Sequence, residues 1–228
     1  MYHVLDNPGW NALSSGNASL AFGSDSVKFF DLDTSPFVGL KHPGDESFAM
    51  LSEVTPADGP YLFVSPEHLA IPATWRVINH TPGYQMVYHG EAIQFNPKYE
   101  LVTLTDEHIP QMLALTNLTQ PGPFAERTID FGHYRGIFED GKLVAMAGQR
   151  LNPKPYAEVS AVCTHPEHLG KGYARELLIH HVNRIIAAGD IPYLQVRHDN
   201  ERAIKVYESI GFEKRTLVHF QAIKKVVK

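Results

Sequence analysis

Gly170 and Gly172 stand where the chain changes its period, and they are the residues whose type and spacing point most directly to chemistry. Before them Val159, Ala161 and Cys163 alternate with Glu158, Ser160 and Val162, a period of two closed by Pro166, which cannot donate to a ladder. After them Ala174, Leu177, Leu178, Val182, Ile185 and Ile186 recur at steps of three and four, the apolar stripe of a helix lying on a sheet. Residues without a Cβ let the backbone turn sharply there, and the first N–H groups of the helix have no acceptor within it. Those donors, with roughly half a positive charge from the helix dipole, suit a phosphate or pyrophosphate. A P-loop needs its lysine after the last glycine, whereas Lys171 lies between the two; a dinucleotide fingerprint needs a third glycine where Arg175 stands.

The remaining reactive residue types say less. Cys163 is the single cysteine, and no His/Asn arrangement at a known spacing supports it as a nucleophile, so it reads as a buried strand thiol. Pairs such as His80 and His89, or His180 and His181, lack matching Cys or carboxylates at ligand spacing, so no metal is expected.

Downstream, residues 194–212 carry a second pattern, Asn200, Ala203, Tyr207, Gly211 and Phe212, in the spacing N-x-x-A-x-x-x-Y-x-x-x-G-F. Taken alone, Asn200 is an N-cap, Ala203 and Tyr207 share a helix face, and Gly211 is a C-terminal stop. Together with the strand, His165-Pro166, and the loop Gly170-Lys171-Gly172-Tyr173-Ala174, the pattern resembles the acetyl-coenzyme A motifs of the GNAT superfamily of N-acetyltransferases. The resemblance covers about the C-terminal 130 residues. The usual form has Gln or Arg three residues before the first glycine and often Arg just before it; Glu167 and Leu169 stand there instead.

The resemblance implies acetyl-CoA as co-substrate and direct transfer to an amine in a ternary complex. It implies that amides from Leu169, Gly170, Lys171, Gly172, Tyr173 and Ala174 hold the pyrophosphate, that the strand carrying Val162, Cys163 and Thr164 splays from its neighbour to meet the pantetheine arm, and that Asn200 and Ala203 line that arm. Tyr207 is at the superfamily position for protonating or hydrogen-bonding the leaving thiolate. An amine with a pKa near 10.4 needs about 4 kcal/mol to lose its proton at neutral pH, so a base or water relay is required. Glu158 is the candidate base, at the start of the strand and on the face expected to carry Ser160, Val162 and Thr164. The acceptor reads as a small-molecule or peptide primary amine. Alternatives are another acyl-CoA, a glycine-like acceptor, or an acyl-CoA sensor without turnover.

The elements that must position these residues form an α+β chain with a GNAT-type mixed sheet flanked by helices. Residues 97–228 read as strand 101–104, a helix after Thr105 with Ile109, Met112 and Leu113 inward, a Pro/Gly break from Asn117 to Pro123, a short helix or substrate loop over 124–131, a hairpin at residues 134–147, then strand, helix, strand, helix and a last strand over 212–223. Residues 1–96 read as a smaller α+β domain with a hairpin around Gly23, a short helix over 46–51 and strands at 61–64, 75–78 and 85–88, cut into pieces by Pro60, Pro66, Pro72 and Pro82. In layout this half is similar to the degenerate partner domain of the glycine N-acyltransferase-like subgroup.

Composition bounds the function. A formal charge of −5 argues against broad nucleic-acid binding. The acidity is N-terminal, with 4 Lys+Arg against 10 Asp+Glu in residues 1–99, a field that suits a cationic amine. No apolar run approaches the ~18 residues that span a bilayer, and the N-terminus has no signal-peptide pattern, so the expectation is a soluble cytoplasmic protein with no membrane partner, with room for a homodimer.

Overall fold

In the computed structural model, residues 3–56 and 59–226 are described. The N-terminal part opens with helix α1 (Pro8–Leu13), capped by the Asn7 side chain on Trp10 N–H. Strands β1 (Phe22–Gly23), β2 (Val27–Phe29) and β3 (Val38–Leu40) then form a small antiparallel sheet. Helix α2 (Asp45–Val54) follows, longer than the stretch expected, with Phe48 and Leu51 buried.

The second sheet crosses the boundary expected near residue 96. Strands β4 (Tyr61–Ser65) and β5 (Trp75–Tyr88) come from the N-terminal part. They are joined by β6 (Val102–Thr103), β7 (Arg135–Glu139), β8 (Lys142–Gln149), β9 (Tyr156–Thr164), β10 (Ile191–Arg197) and β11 (Phe212–Lys225). The order is β4-β11-β5-β10-β9-β8-β7-β6, so β5 lies between the last strand and β10 and bonds to both. Residues 97–228 thus hold the run from β10 to β6 and the last strand β11, with β5 of the N-terminal part inserted between them.

Pro82 does not interrupt β5, contrary to the reading of two separate strands at 75–78 and 85–88. The ladder with β10 ends at Gly83, so the residue lacking an N–H sits where β5 pairs with β11 alone.

Helix α2 covers one end of this sheet, and three further helices cover the rest. Helix α3 (Ile109–Thr119) runs through Asn117, where a break was expected, and stops at Gln120 in the left-handed region ahead of Pro121. Residues 128–131 form a single 3-10 turn rather than a helix. Helices α4 (Tyr173–Ala187) and α5 (Glu201–Ile210) follow the two motifs. Leu177, Leu178, Val182 and Ile185 of α4 are fully buried, each contributing about 1.5–3 kcal/mol by leaving water. Gly211 at φ 111° ends α5 in a conformation that disfavours a side chain.

Candidate functional site

Strands β9 and β10 are the parallel pair of the sheet, and they stay paired only at their starts: Tyr156 with Ile191, Ala157 with Pro192, Glu158 with Tyr193. Beyond Glu158, β9 continues against β8 while β10 turns to β5. The edge of β9 from Val159 to Thr164, which includes Val162, Cys163 and Thr164, therefore faces a gap between the strands.

Ala161 changes which way these side chains point. It has φ 52°, and the β8–β9 register shifts there, with Met146 opposite Cys163 but Gly148 opposite Ser160. The extra residue is a β-bulge, and it flips the alternation. Val159 and Val162 both pack toward α4, among Leu178 and Val182 for the first and beside Tyr173 and Leu177 for the second. Ala161 and Cys163 face the other way, among Met112, Met146 and Phe131. The single face expected to carry Glu158, Ser160, Val162 and Thr164 is thus broken at the bulge.

The glycine loop lies at the end of the gap. A short 3-10 turn, Pro166–His168, leads from β9 to Leu169, half-exposed, and then to Gly170 and Gly172 at φ 82° and 90°. Nothing lies within 4 Å of a Cβ built on either glycine, so backbone conformation rather than crowding requires them. Helix α4 has no side-chain N-cap, which leaves the first-turn N–H groups of Tyr173 and Ala174 facing outward.

The loop is braced by Tyr99 and Glu139, which the sequence did not single out. Tyr99 Oη donates to the carbonyl of Lys171 at 3.0 Å, and its ring meets that of Tyr173 edge-on at 4.6 Å. Lys171 Nζ is 2.9 Å from Glu139, to which the Tyr173 hydroxyl also donates. Hydrogen bonding from Lys171 holds the Glu139 carboxyl below its usual range. His165, Glu167 and His168 each bring one ligand atom within 4.8 Å of the others, but the Lys171 ammonium lies 3.2 Å from His168 Nδ1 and disfavours a second cation there.

On α5, Asn200 caps the helix through Oδ1 on Ala203 N–H at 3.2 Å. Tyr207 is 9 % exposed and packs with Met86, Val196 and Phe212, while Ala203 borders the same cluster. Burial, reinforced by the neighbouring Cys163, raises the Tyr207 phenol well above its usual value, so it stays protonated. Burial likewise pushes the Cys163 thiol up to about 12, which removes the thiolate a nucleophile needs.

Glu158 is not placed to accept a proton. It is fully buried and takes hydrogen bonds from Arg150 Nη2 at 2.7 Å, Arg150 Nε at 3.1 Å, Leu151 N–H at 3.0 Å and Gln195 Nε2 at 3.1 Å. Four donors occupy the carboxylate of the candidate base, the pattern of a structural ion pair. Arg150 in turn lies over the Phe37 ring at 4.7 Å and accepts through its carbonyl from Asn17, so the N-terminal part buttresses the start of β9.

Beside this pair, on the face away from α4, a narrow concavity is lined by Gly122, Phe124, Tyr134, Arg150, Ser160 and Ala161. The loop after α3, expected to contribute to acceptor binding, thus reaches the bulge of β9. Two features thus flank β9: a gap ending at the glycine loop on the α4 side, and a narrow concavity opposite.

A family model described as FR47-like protein matches residues 134–220. The curated N-alpha-acetyltransferase RimI of Mycobacterium tuberculosis is 38% identical over 85 residues, 36% of this chain and 52% of that protein. The match therefore spans about half the length of that relative. A crystal structure of a GNAT-family protein from Novosphingobium aromaticivorans is 35% identical and superposes with a TM-score of 0.91, covering 99% of this chain and 100% of that one. A GCN5-related N-acetyltransferase from Kribbella flavida, 13% identical, shares the fold with a TM-score of 0.61 over 93% of this chain and 95% of its own.

Proposed function

The chain belongs to the GNAT family of acetyltransferases, and from that premise we propose that it transfers an acetyl group from acetyl-CoA to the α-amine of a peptide. The observation that carries the donor half is the β9–β10 gap ending at the glycine cradle. Acetyl-CoA supplies an activated thioester. The loop amides from Leu169 to Ala174 hold its pyrophosphate, and the free edge of β9 at Val162, Cys163 and Thr164 accepts the pantetheine arm. Asn200, whose Oδ1 is used by the cap, keeps its amide nitrogen for that arm, with Ala203 one turn on.

Tyr207, buried on α5, is assigned to the thioester sulphur. Its raised pKa makes it a hydrogen-bond donor to the developing thiolate rather than a strong acid, because a phenol above 10 does not readily give a proton to a thiolate near 8.5. Stabilising that charge in a dry site is the larger effect.

The acceptor assignment rests on Glu158. A lysine amine at pH 7 needs about 3.4 pKa units, or ~4.6 kcal/mol, to become neutral, whereas a peptide α-amine near 8 needs only about one unit, or ~1.4 kcal/mol. With the carboxylate locked by Arg150, a weakly basic α-amine losing its proton to water is the acceptor this site suits. In this reading the amine approaches β9 beside Ser160 and the bulge at Ala161, where the narrow concavity would have to widen to admit it. An α-amine acceptor also agrees with the N-alpha activity named for the mycobacterial relative.

The test is a panel of peptides with free α-amines, their α-blocked lysine counterparts and small amines, assayed with acetyl-CoA by thiol release. Preference for free α-amines is expected. Preference for lysine or small amines would overturn the acceptor, and binding of acetyl-CoA with no thiol release against any amine would leave an acyl-CoA sensor.

A further inference from the structure

Away from the acetyl site, three histidines distant in sequence meet on one face of the sheet. His80 on β5 and His219 on β11 lie diagonally across the ladder in which His80 pairs with Gln221 and His219 with Pro82. His80 Nε2 and His219 Nδ1 are 2.9 Å apart. His68 is brought over them by Gln221, a fully buried side chain that accepts from Leu69 N–H at 2.7 Å and donates to the Leu69 carbonyl at 3.0 Å. The loop between β4 and β5 is thereby hung from β11, one residue past His68. This part of the face lies between the patch under α2, where Tyr61, Phe63 and Ile223 pack on Phe48, and the patch under α5, where Tyr84 packs.

We propose that His68, His80 and His219 form a binding site for a divalent transition-metal ion of the zinc class, with its remaining position open to solvent. The ring centroids are separated by 5.0, 5.1 and 5.8 Å. Three imidazoles on one tetrahedral ion with metal–nitrogen bonds of about 2.0–2.1 Å hold their centroids roughly 5 Å apart, close to the ring separations here, although the His68 nitrogens are not yet turned in to ligand distance of both partners. The contact between His80 and His219 needs one shared proton, which a metal ion replaces, and His68 needs only to turn a nitrogen toward the pair. Imidazole is the ligand that zinc, copper and nickel share, whereas magnesium and calcium want oxygen. Neutral rings are what the metal requires.

Such an ion joins the β4–β5 loop to β5 and β11 and leaves the acetyl-transfer residues untouched. The experiment uses the full, untagged chain stripped with chelator, titrated with Zn²⁺ by calorimetry and with Co²⁺ by absorption. One ion per chain, tetrahedral Co²⁺ bands, and at least tenfold weaker binding in His80→Asn and His219→Asn are expected, with circular dichroism and the acetyl-transfer rate unchanged. His68→Asn, a change in an exposed loop, should weaken binding similarly and guards against a folding defect in the strand variants. Absence of binding would overturn the proposal, as would binding that survives these three changes and disappears in His165→Asn or His168→Asn.

Discussion

The two sides of β9 are built by different kinds of contact. Toward α4, Val159 and Val162 meet Leu178, Tyr173 and Leu177, all within about twenty residues along the chain, and the glycine loop belongs to the same stretch. On the opposite side Glu158 is held by Arg150 across a strand connection, by Gln195 on the next strand, and indirectly by Asn17 and Phe37 from the far end of the chain. The side proposed to hold the donor is local and mostly apolar. The side proposed to receive the amine is non-local and polar, so it depends on the whole molecule being assembled.

Removing the N-terminal part tests that dependence most severely. A chain starting at Pro97 loses β5, which bonds to both β10 and β11, and is expected to show no cooperative thermal transition and no acetyl-CoA binding. A truncated chain that melts cooperatively and still binds would show that the donor side stands alone. Glu158→Gln attacks the polar side within the intact chain. It leaves Arg150 buried without its carboxylate, and a loss of about 3–5 kcal/mol in denaturant unfolding is expected; an unchanged midpoint would mean the pair contributes little.

On the donor side the effects are smaller and more selective. Gly170→Val forces a β-branched residue to φ 82° and should weaken acetyl-CoA binding by about 2 kcal/mol, roughly thirtyfold, in a chain that still folds. Equal affinity by calorimetry would remove the cradle from the binding site. Tyr207→Phe keeps the ring packing and deletes one donor, so single-turnover transfer should slow by about tenfold while acetyl-CoA affinity holds. A fall in affinity with an unchanged transfer rate would make Tyr207 a packing residue.

The same contrast explains what could be read in the sequence. Gly170, Gly172, Asn200 and Gly211 act through their own backbone or a cap three residues away, and α4 and α5 begin and end where those residues stand. Helix α3 ran past Asn117 because Leu115 and Thr116 are buried and carry the helix to Gln120. The bulge at Ala161 has no local mark: the residues around it alternate as well as any strand, and only the β8 register reveals the extra residue. Glu158 looked reactive because its partners, eight and thirty-seven residues away, are invisible to spacing. The single sheet was hidden for the same reason, since β5 pairs with strands more than a hundred residues later. The three-histidine cluster has no short ligand spacing in the sequence, since His80 and His219 are 139 residues apart.

The central claim is that Glu158 is spoken for and that the amine loses its proton without a carboxylate base. It is tested most directly by kcat/KM against pH for two peptide acceptors whose α-amines differ in pKa by about one unit around 8. The account predicts that the acidic limb of the profile moves with the amine by the same amount. A limb that stays at one pH for both peptides would identify a base on the protein and contradict it.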